Sequence, residues 1–141
     1  MTGIYWKNLW NFLIKNRNET GIQWRYNMKI WVDDVRDIPS DNYVYARSVN
    51  RAKQLIEYYE DVLQSAQETN DTEVINVYTI ELIDIDHDAG EYVSDGGDYI
   101  KLLDWLEETG RNYPIRIHSM NSVGIQNMRR IIKRNGWTEV L

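Results

Sequence analysis

The sequence predicts an α/β domain on a largely parallel sheet, and two observations carry that expectation. From Met28 onward, short runs rich in β-branched and aromatic residues alternate with stretches of helical period, the pattern of repeated βαβ units. Three polar clusters, Asp33-Asp34, Asp86-His87-Asp88 and His118-Ser119, each fall where a strand is expected to end. In open parallel sheets, chemistry collects beyond the carboxyl ends of the strands. One polar strand end is common in any protein; three on one edge of one sheet make a candidate site.

The elements follow in order. "MKIWVDD" places Ile30 and Val32 on either side of Trp31 and reads as a short buried strand that ends in two acids. Pro39, Ser40 and Asp41 signal a loop, and "YVYARS" is a second strand. Ser48 is a suitable N-cap for a helix in which Ala52, Leu55, Ile56, Tyr59 and Leu63 recur at helical spacing. "ETNDTE" is a polar connection, and "VYTIELIDID" is expected as one strand. "AGEYVSDGGD" is a glycine-bearing loop, with Asp98 or Asp95 expected to cap the helix "YIKLLDWLEET". Ile100, Leu103, Trp105 and Leu106 are expected to face inward there, and Gly110 ends it. "YPIRIHS" is a short strand. The helix "NSVGIQNMRRIIKRNG" has Val123, Met128, Ile131 and Ile132 as its expected apolar face and Gly136 as terminator. "WTEVL" closes as a last strand.

Residues 1–27 stand outside this alternation, so the expected organisation is an N-terminal aromatic extension, 1–27, and one α/β domain, 28–141. In "IYWKNLWNFLI", Trp6, Trp10, Leu13 and Ile14 recur at roughly helical spacing, with Leu9 and Phe12 adding apolar bulk. One reading is a helix packed on the domain's flank, since large apolar faces are seldom left to solvent. The other is an element for partner binding or self-association, because aromatic anchors dominate interface energetics.

Composition narrows the function classes. The chain has no cysteine, which excludes disulfides, thiolate metal ligands and thiol nucleophiles. No apolar run approaches the ~18 residues of a membrane span, and the start lacks the pattern of a secretory leader. A cytoplasmic protein with no membrane association is expected. The net charge is −6, but the signs are segregated. Residues 111–141 carry Arg111, Arg116, Arg129, Arg130, Lys133 and Arg134 against Glu139 alone, and the acids lie mainly in the centre. That asymmetry suits a divalent cation in the acidic part and an anion near the basic part. The simpler reading of Arg129, Arg130, Lys133 and Arg134 is the wet face of the last helix.

"WVDDVRDIP", "DIDHDAG", "GGDYIKLLDWLEE" and "IHSMNSVGIQNM", in that order, together resemble the cyclic-phosphate-processing receiver-like family, relatives of response-regulator receiver domains. The matching positions are Asp33, Asp34, Arg36 and Pro39, then Asp86, His87, Asp88 and Gly90, then His118, Ser119, Asn121, Gly124 and Met128. The resemblance runs from about Met28 to Trp137. It implies a receiver-like, flavodoxin-like fold. A receiver holds Mg²⁺ with two acids after its first strand and one after its third, and Asp33, Asp34 and Asp86 fill those places. Hard oxygen ligands suit that ion. A receiver also needs a lysine after its fifth strand to neutralise an acyl phosphate, and "WTEVL" offers none, which argues against a phosphorelay role.

Opening a cyclic phosphodiester needs one proton accepted and one donated, and both histidines of the chain lie in these motifs. The resemblance therefore points to a catalytic group of Asp86, His87 and His118, with Arg36, Ser119, Asn121 and the backbone around Gly124 as phosphate contacts. Simpler roles stand beside these. Asp33 or Asp34 can be a strand-end cap, His87 can bond its own loop, and His118 can orient the Asp86 loop. Ser119 and Asn121 are good helix caps. Asp84, one strand period before Asp86, is left outside the site. The leading expectation is a Mg²⁺-assisted phosphoesterase acting on the cyclic phosphate of a nucleotide or an RNA 2′,3′-cyclic end. The rival is a non-catalytic acidic module that binds a nucleotide, or a basic protein surface, through the acidic centre or residues 1–27.

Overall fold

A computed structural model describes residues 28–141, so the expectations for residues 1–27 lie outside the described residues. Four parallel strands, β1 (Met28–Val32), β2 (Tyr43–Ala46), β3 (Ile80–Ile85) and β4 (Ile115–Ile117), lie in the order β2-β1-β3-β4. This is the doubly wound, flavodoxin-like order, with its switch point between β1 and β3. The helices are α1 (Val49–Glu68), α2 (Thr72–Tyr78), α3 (Ile100–Glu108) and α4 (Ser122–Asn135), and a 3₁₀ turn spans Gly90–Ser94. The expected α/β class and receiver-like architecture are observed.

Several local expectations hold for the stated physical reasons. Ser48 caps α1, its side chain accepting from the Arg51 N–H at 3.0 Å. Gly136 ends α4 at φ 67°, left-handed backbone that glycine adopts without a Cβ penalty.

Others are corrected. "VYTIELIDID" is not one strand: Val77 and Tyr78 finish α2, and β3 starts at Ile80. Asp71 caps α2 by accepting from the Val74 N–H. Val74, Val77 and Tyr78 pack on the core, so tertiary burial overrides their strand preference. Neither Asp95 nor Asp98 caps α3, whose N-cap Tyr99 makes no side-chain cap. Asp95 instead accepts from Ser48 Oγ at 2.6 Å and Asn50 Nδ2 at 3.0 Å, and Asp98 accepts from the Ala89 N–H. Val123 is 65% exposed rather than part of the α4 core face, while Met128, Ile131 and Ile132 are buried. "WTEVL" contributes only an isolated bridge, Ile115 to Glu139.

Connection handedness decides which sheet face is covered. The steps β2 to β3, β3 to β4 and β4 to the Glu139 bridge all run the same way across the sheet. Right-handed crossovers therefore put their helices on one face. The buried side chains of α1, α3 and α4 accordingly form one cluster with Ile30, Val32, Ile83, Ile85 and Ile115. The step from β1 to β2 runs the opposite way, and its crossover belongs on the other face. That connection, residues 33–42, holds no helix. Pro39 interrupts it, and Asp33 Oδ1 accepts from the N–H groups of Val35 and Arg36, folding the chain into a side-chain-capped turn.

Candidate functional site

Asp33 and Asp34 follow β1, Asp86 follows β3 and His118 follows β4, so all four gather on the carboxyl edge of the sheet at the switch point. Asp33, Asp34 and Asp86 each offer one oxygen, and those oxygens lie within 4.8 Å of one another. Asp33 is fully buried and Asp86 is 8% exposed. Gly90 makes room for the group: at its φ of +54°, an added Cβ would lie 2.2 Å from Asp34 Oδ2.

Burial raises the Asp33 carboxyl, but the N–H groups of Arg36 and Val35, and then His118, outweigh it and hold the group below its usual range. Asp33 Oδ2 pairs with His118 Nε2 at 2.8 Å and with Arg36 Nη1 at 3.3 Å. Asp86 Oδ1 accepts from the His87 N–H at 2.7 Å, and its Oδ2 lies 3.5 Å from the same Arg36 nitrogen. One guanidinium nitrogen thus stands between two of the three acids. Tyr99, fully buried with its hydroxyl donating to the Arg47 carbonyl, carries the field of the cluster. Burial, then the charges of Asp34, Asp33 and Asp86, push its phenol up.

The two histidines have different surroundings, and no hydrogen bond or ring contact joins them among the described residues. His118 Nδ1 lies 2.7 Å from Asp84 Oδ1 and its Nε2 lies 2.8 Å from Asp33 Oδ2. Its ring stacks on Trp31 at 3.8 Å between centroids and 2° between planes. Both nitrogens and one ring face are engaged. Asp84, 1% exposed, is itself held by the Tyr43 hydroxyl at 2.9 Å and faces Arg116 at 3.6 Å. Burial and the Asp84 bond push the Tyr43 phenol up to about 12.

His87 sits against the start of α4. Its Nδ1 lies 2.9 Å from Asp88 Oδ1 and 3.4 Å from Asn121 Nδ2, while Nε2 has no hydrogen-bond partner among the described residues. Asn121 is the α4 N-cap, its Oδ1 accepting from the Gly124 N–H at 2.9 Å, and Ser119 Oγ accepts from the Asn121 N–H. The expected phosphate contacts Ser119, Asn121 and Gly124 therefore form a capping unit beside His87. Gly124 is needed for a steric reason: a Cβ there would lie 2.4 Å from His87 Cγ and Cδ2.

Asp84, Trp31 and Tyr99 were not among the expected site residues. For Asp84 the signal was present, because the period of two puts it on the face shared with the position of Asp86. The pairing of Trp31 with His118 has no local sequence signature.

No helix among the described residues is long and apolar enough to cross a membrane. No curated protein and no solved structure matches the chain. Residues 28–134 match the family model described as the cyclic-phosphate processing receiver domain.

Proposed function

Since the chain belongs to the cyclic-phosphate processing receiver domain family, we propose that it is a metal-assisted phosphoesterase that opens the cyclic phosphate of a nucleotide or an RNA end. The observation that carries this reading is the convergence of Asp33, Asp34 and Asp86 oxygens within 4.8 Å beside His87 and Arg36. Three carboxylates are a hard-oxygen donor set that suits Mg²⁺, and the Arg36 guanidinium already lies where positive charge is favoured. Asp33, Asp34 and Asp86 would hold the ion, which supplies charge stabilisation for the phosphoryl oxygens.

The protein's own groups do the rest. His87 takes a proton from the attacking water through Nε2 and returns it to the leaving ribose oxygen, with Nδ1 oriented by Asp88. A histidine fixed at one nitrogen and open at the other suits general acid–base work. Arg36, 46% exposed at its side chain, reaches the phosphate. His118 acts as a positioning residue, because both its nitrogens hold carboxylates. Ser119, Asn121 and Gly124 keep the His87 seat and the N-terminus of α4 in register beneath the phosphate.

The test is hydrolysis of 2′,3′-cyclic nucleotides with and without Mg²⁺, expected only with the ion and only with His87 intact. One observation favours the rival binding module. Val35 and Met120, on loops, and Val123, in the first turn of α4, are 75%, 90% and 65% exposed and follow strands at the same sheet edge, an apolar rim suited to a protein partner. That reading expects a stable complex and no turnover.

A further inference from the structure

The connection from β1 to β2, residues 33–42, carries Arg36 and two of the acids yet holds no helix, so side chains from elsewhere hold its shape. The Arg36 N–H donates to Asp33 Oδ1 at 2.8 Å. The Arg36 carbonyl accepts from Trp31 Nε1 and from Arg47 Nη1, each at 3.2 Å. The same Arg47 nitrogen donates to the Asp33 carbonyl at 3.2 Å. The Arg47 guanidinium lies over the Tyr45 ring, 4.1 Å from its centroid. The Tyr45 hydroxyl accepts from the Ile38 N–H and donates to Asp37 Oδ1, both at 3.0 Å. From the end of β2, Arg47 and Tyr45 thus grip residues 33–38 as one unit.

Arg47 also reaches the second loop of the site. Its carbonyl accepts from the Tyr99 hydroxyl at 2.7 Å, and the Tyr99 N–H donates to the His87 carbonyl at 3.1 Å. Through Arg47 and Tyr99, a path of hydrogen bonds joins the backbone of Arg36 to that of His87.

We propose that Arg47 is a positioning residue, which holds the Arg36 backbone so that the Arg36 guanidinium meets the phosphate at the acid cluster. The inference rests on the reading of Arg36 as the phosphate contact. Arginine suits the role because a planar guanidinium stacks on an aromatic ring while its N–H groups donate sideways. The acids are held by other bonds. The Asp33 carboxyl is fixed by the N–H groups of Val35 and Arg36 and by His118, and Asp86 by the His87 N–H. Loss of Arg47 therefore loosens Arg36 and leaves the three acids in place.

The test is a double-mutant cycle of Arg47→Met and Arg36→Gln in the full chain, read by calorimetric titration with inorganic phosphate and, separately, with Mg²⁺. Arg47→Met is expected to weaken phosphate binding about tenfold in the parent and not at all in Arg36→Gln, since contacting groups couple. Its Mg²⁺ affinity is expected to be no weaker than the parent's. Arg47→Lys, which keeps a donor and loses the stack, is expected to fall between, and the same cycle is run with it if Arg47→Met does not fold. Unchanged phosphate binding in Arg47→Met would overturn the proposal, as would a parent that binds no phosphate. An equal loss in Arg36→Gln would place Arg47 on the phosphate itself, and a matching loss of Mg²⁺ affinity would mean general distortion; either result overturns it too. Turnover is scored apart from the cycle: a parent that binds phosphate without opening a cyclic phosphate sinks the phosphoesterase reading and leaves this inference standing.

Discussion

His87 and Gly124 meet so closely that a single added carbon at position 124 would lie 2.4 Å from the imidazole. The contact joins the loop after β3 to the first turn of α4 and aims the ring of His87. Replacing Gly124 with alanine must move either the ring or the helix. Overpacking of this kind costs about 1–3 kcal/mol, readable in urea unfolding. If His87 is the general acid–base group, Gly124→Ala lowers kcat by roughly 10²-fold and leaves Mg²⁺ affinity near that of the parent. Calorimetric titration beside steady-state kinetics checks both halves.

His118 lies between two buried carboxylates and on Trp31, so its removal strands Asp33 and Asp84. Leaving a buried polar group without its hydrogen-bond partner costs about 1–3 kcal/mol, and more for a charged one. His118→Ala is expected to lose stability of that order in chemical denaturation. The paired change His118→Ala with Asp84→Ala is expected to recover part of it, because one stranded acid is gone. A His118→Ala protein of unchanged stability would remove the positioning role.

Arg36 occupies the space between Asp33 and Asp86 at 3.3 and 3.5 Å and so competes with a bound cation. Its partly exposed contacts are worth about 1 kcal/mol at most. Arg36→Gln is therefore expected to tighten Mg²⁺ binding about fivefold while weakening phosphate binding. Arg36→Lys, which keeps the charge, is expected to fall between the two. Calorimetry with Mg²⁺ alone and with inorganic phosphate alone separates these effects.

Away from the site, Glu107 of α3 accepts from Arg134 Nε and Nη2, each at 2.7 Å, and from Asn135 as well, and these partners, Arg134 first, lower its carboxyl to about 2. A depressed folded-state pKa contributes stability above the unfolded value, here 4.5, that is lost as pH falls toward 2. Glu107→Gln is expected to unfold at lower urea than the parent at pH 7. The gap should close between pH 4.5 and pH 2, and a gap constant over that range would contradict the assignment.

Much of this arrangement was legible in the sequence. The alternation from Met28 gave the sheet, and three polar strand ends gave the edge where Asp33, Asp34, Asp86 and His118 lie. Ser48 and Gly136 marked helix ends through local backbone chemistry, which sequence carries directly. What escaped was long-range. Val77 and Tyr78 read as strand because β-branched and aromatic residues prefer it, and only packing on the core makes them helix. Asp84 looked like an edge acid, although burial and a bond to His118, 34 positions away, make it part of the support beneath the cluster. Ser119 and Asn121 form the cap that precedes and opens α4, a local pattern that their sequence did suggest.

The central claim is that the three acids hold a divalent cation beside a proton-exchanging His87. The most direct measurement is the rate of 2′,3′-cyclic nucleotide hydrolysis with Mg²⁺ in the parent protein, His87→Gln and Asp34→Asn. The account predicts turnover in the parent that stops when the ion is chelated, with a loss of about 10²-fold or more in each variant. Turnover that survives both substitutions, or a parent that binds Mg²⁺ and turns over no cyclic phosphate, would contradict it.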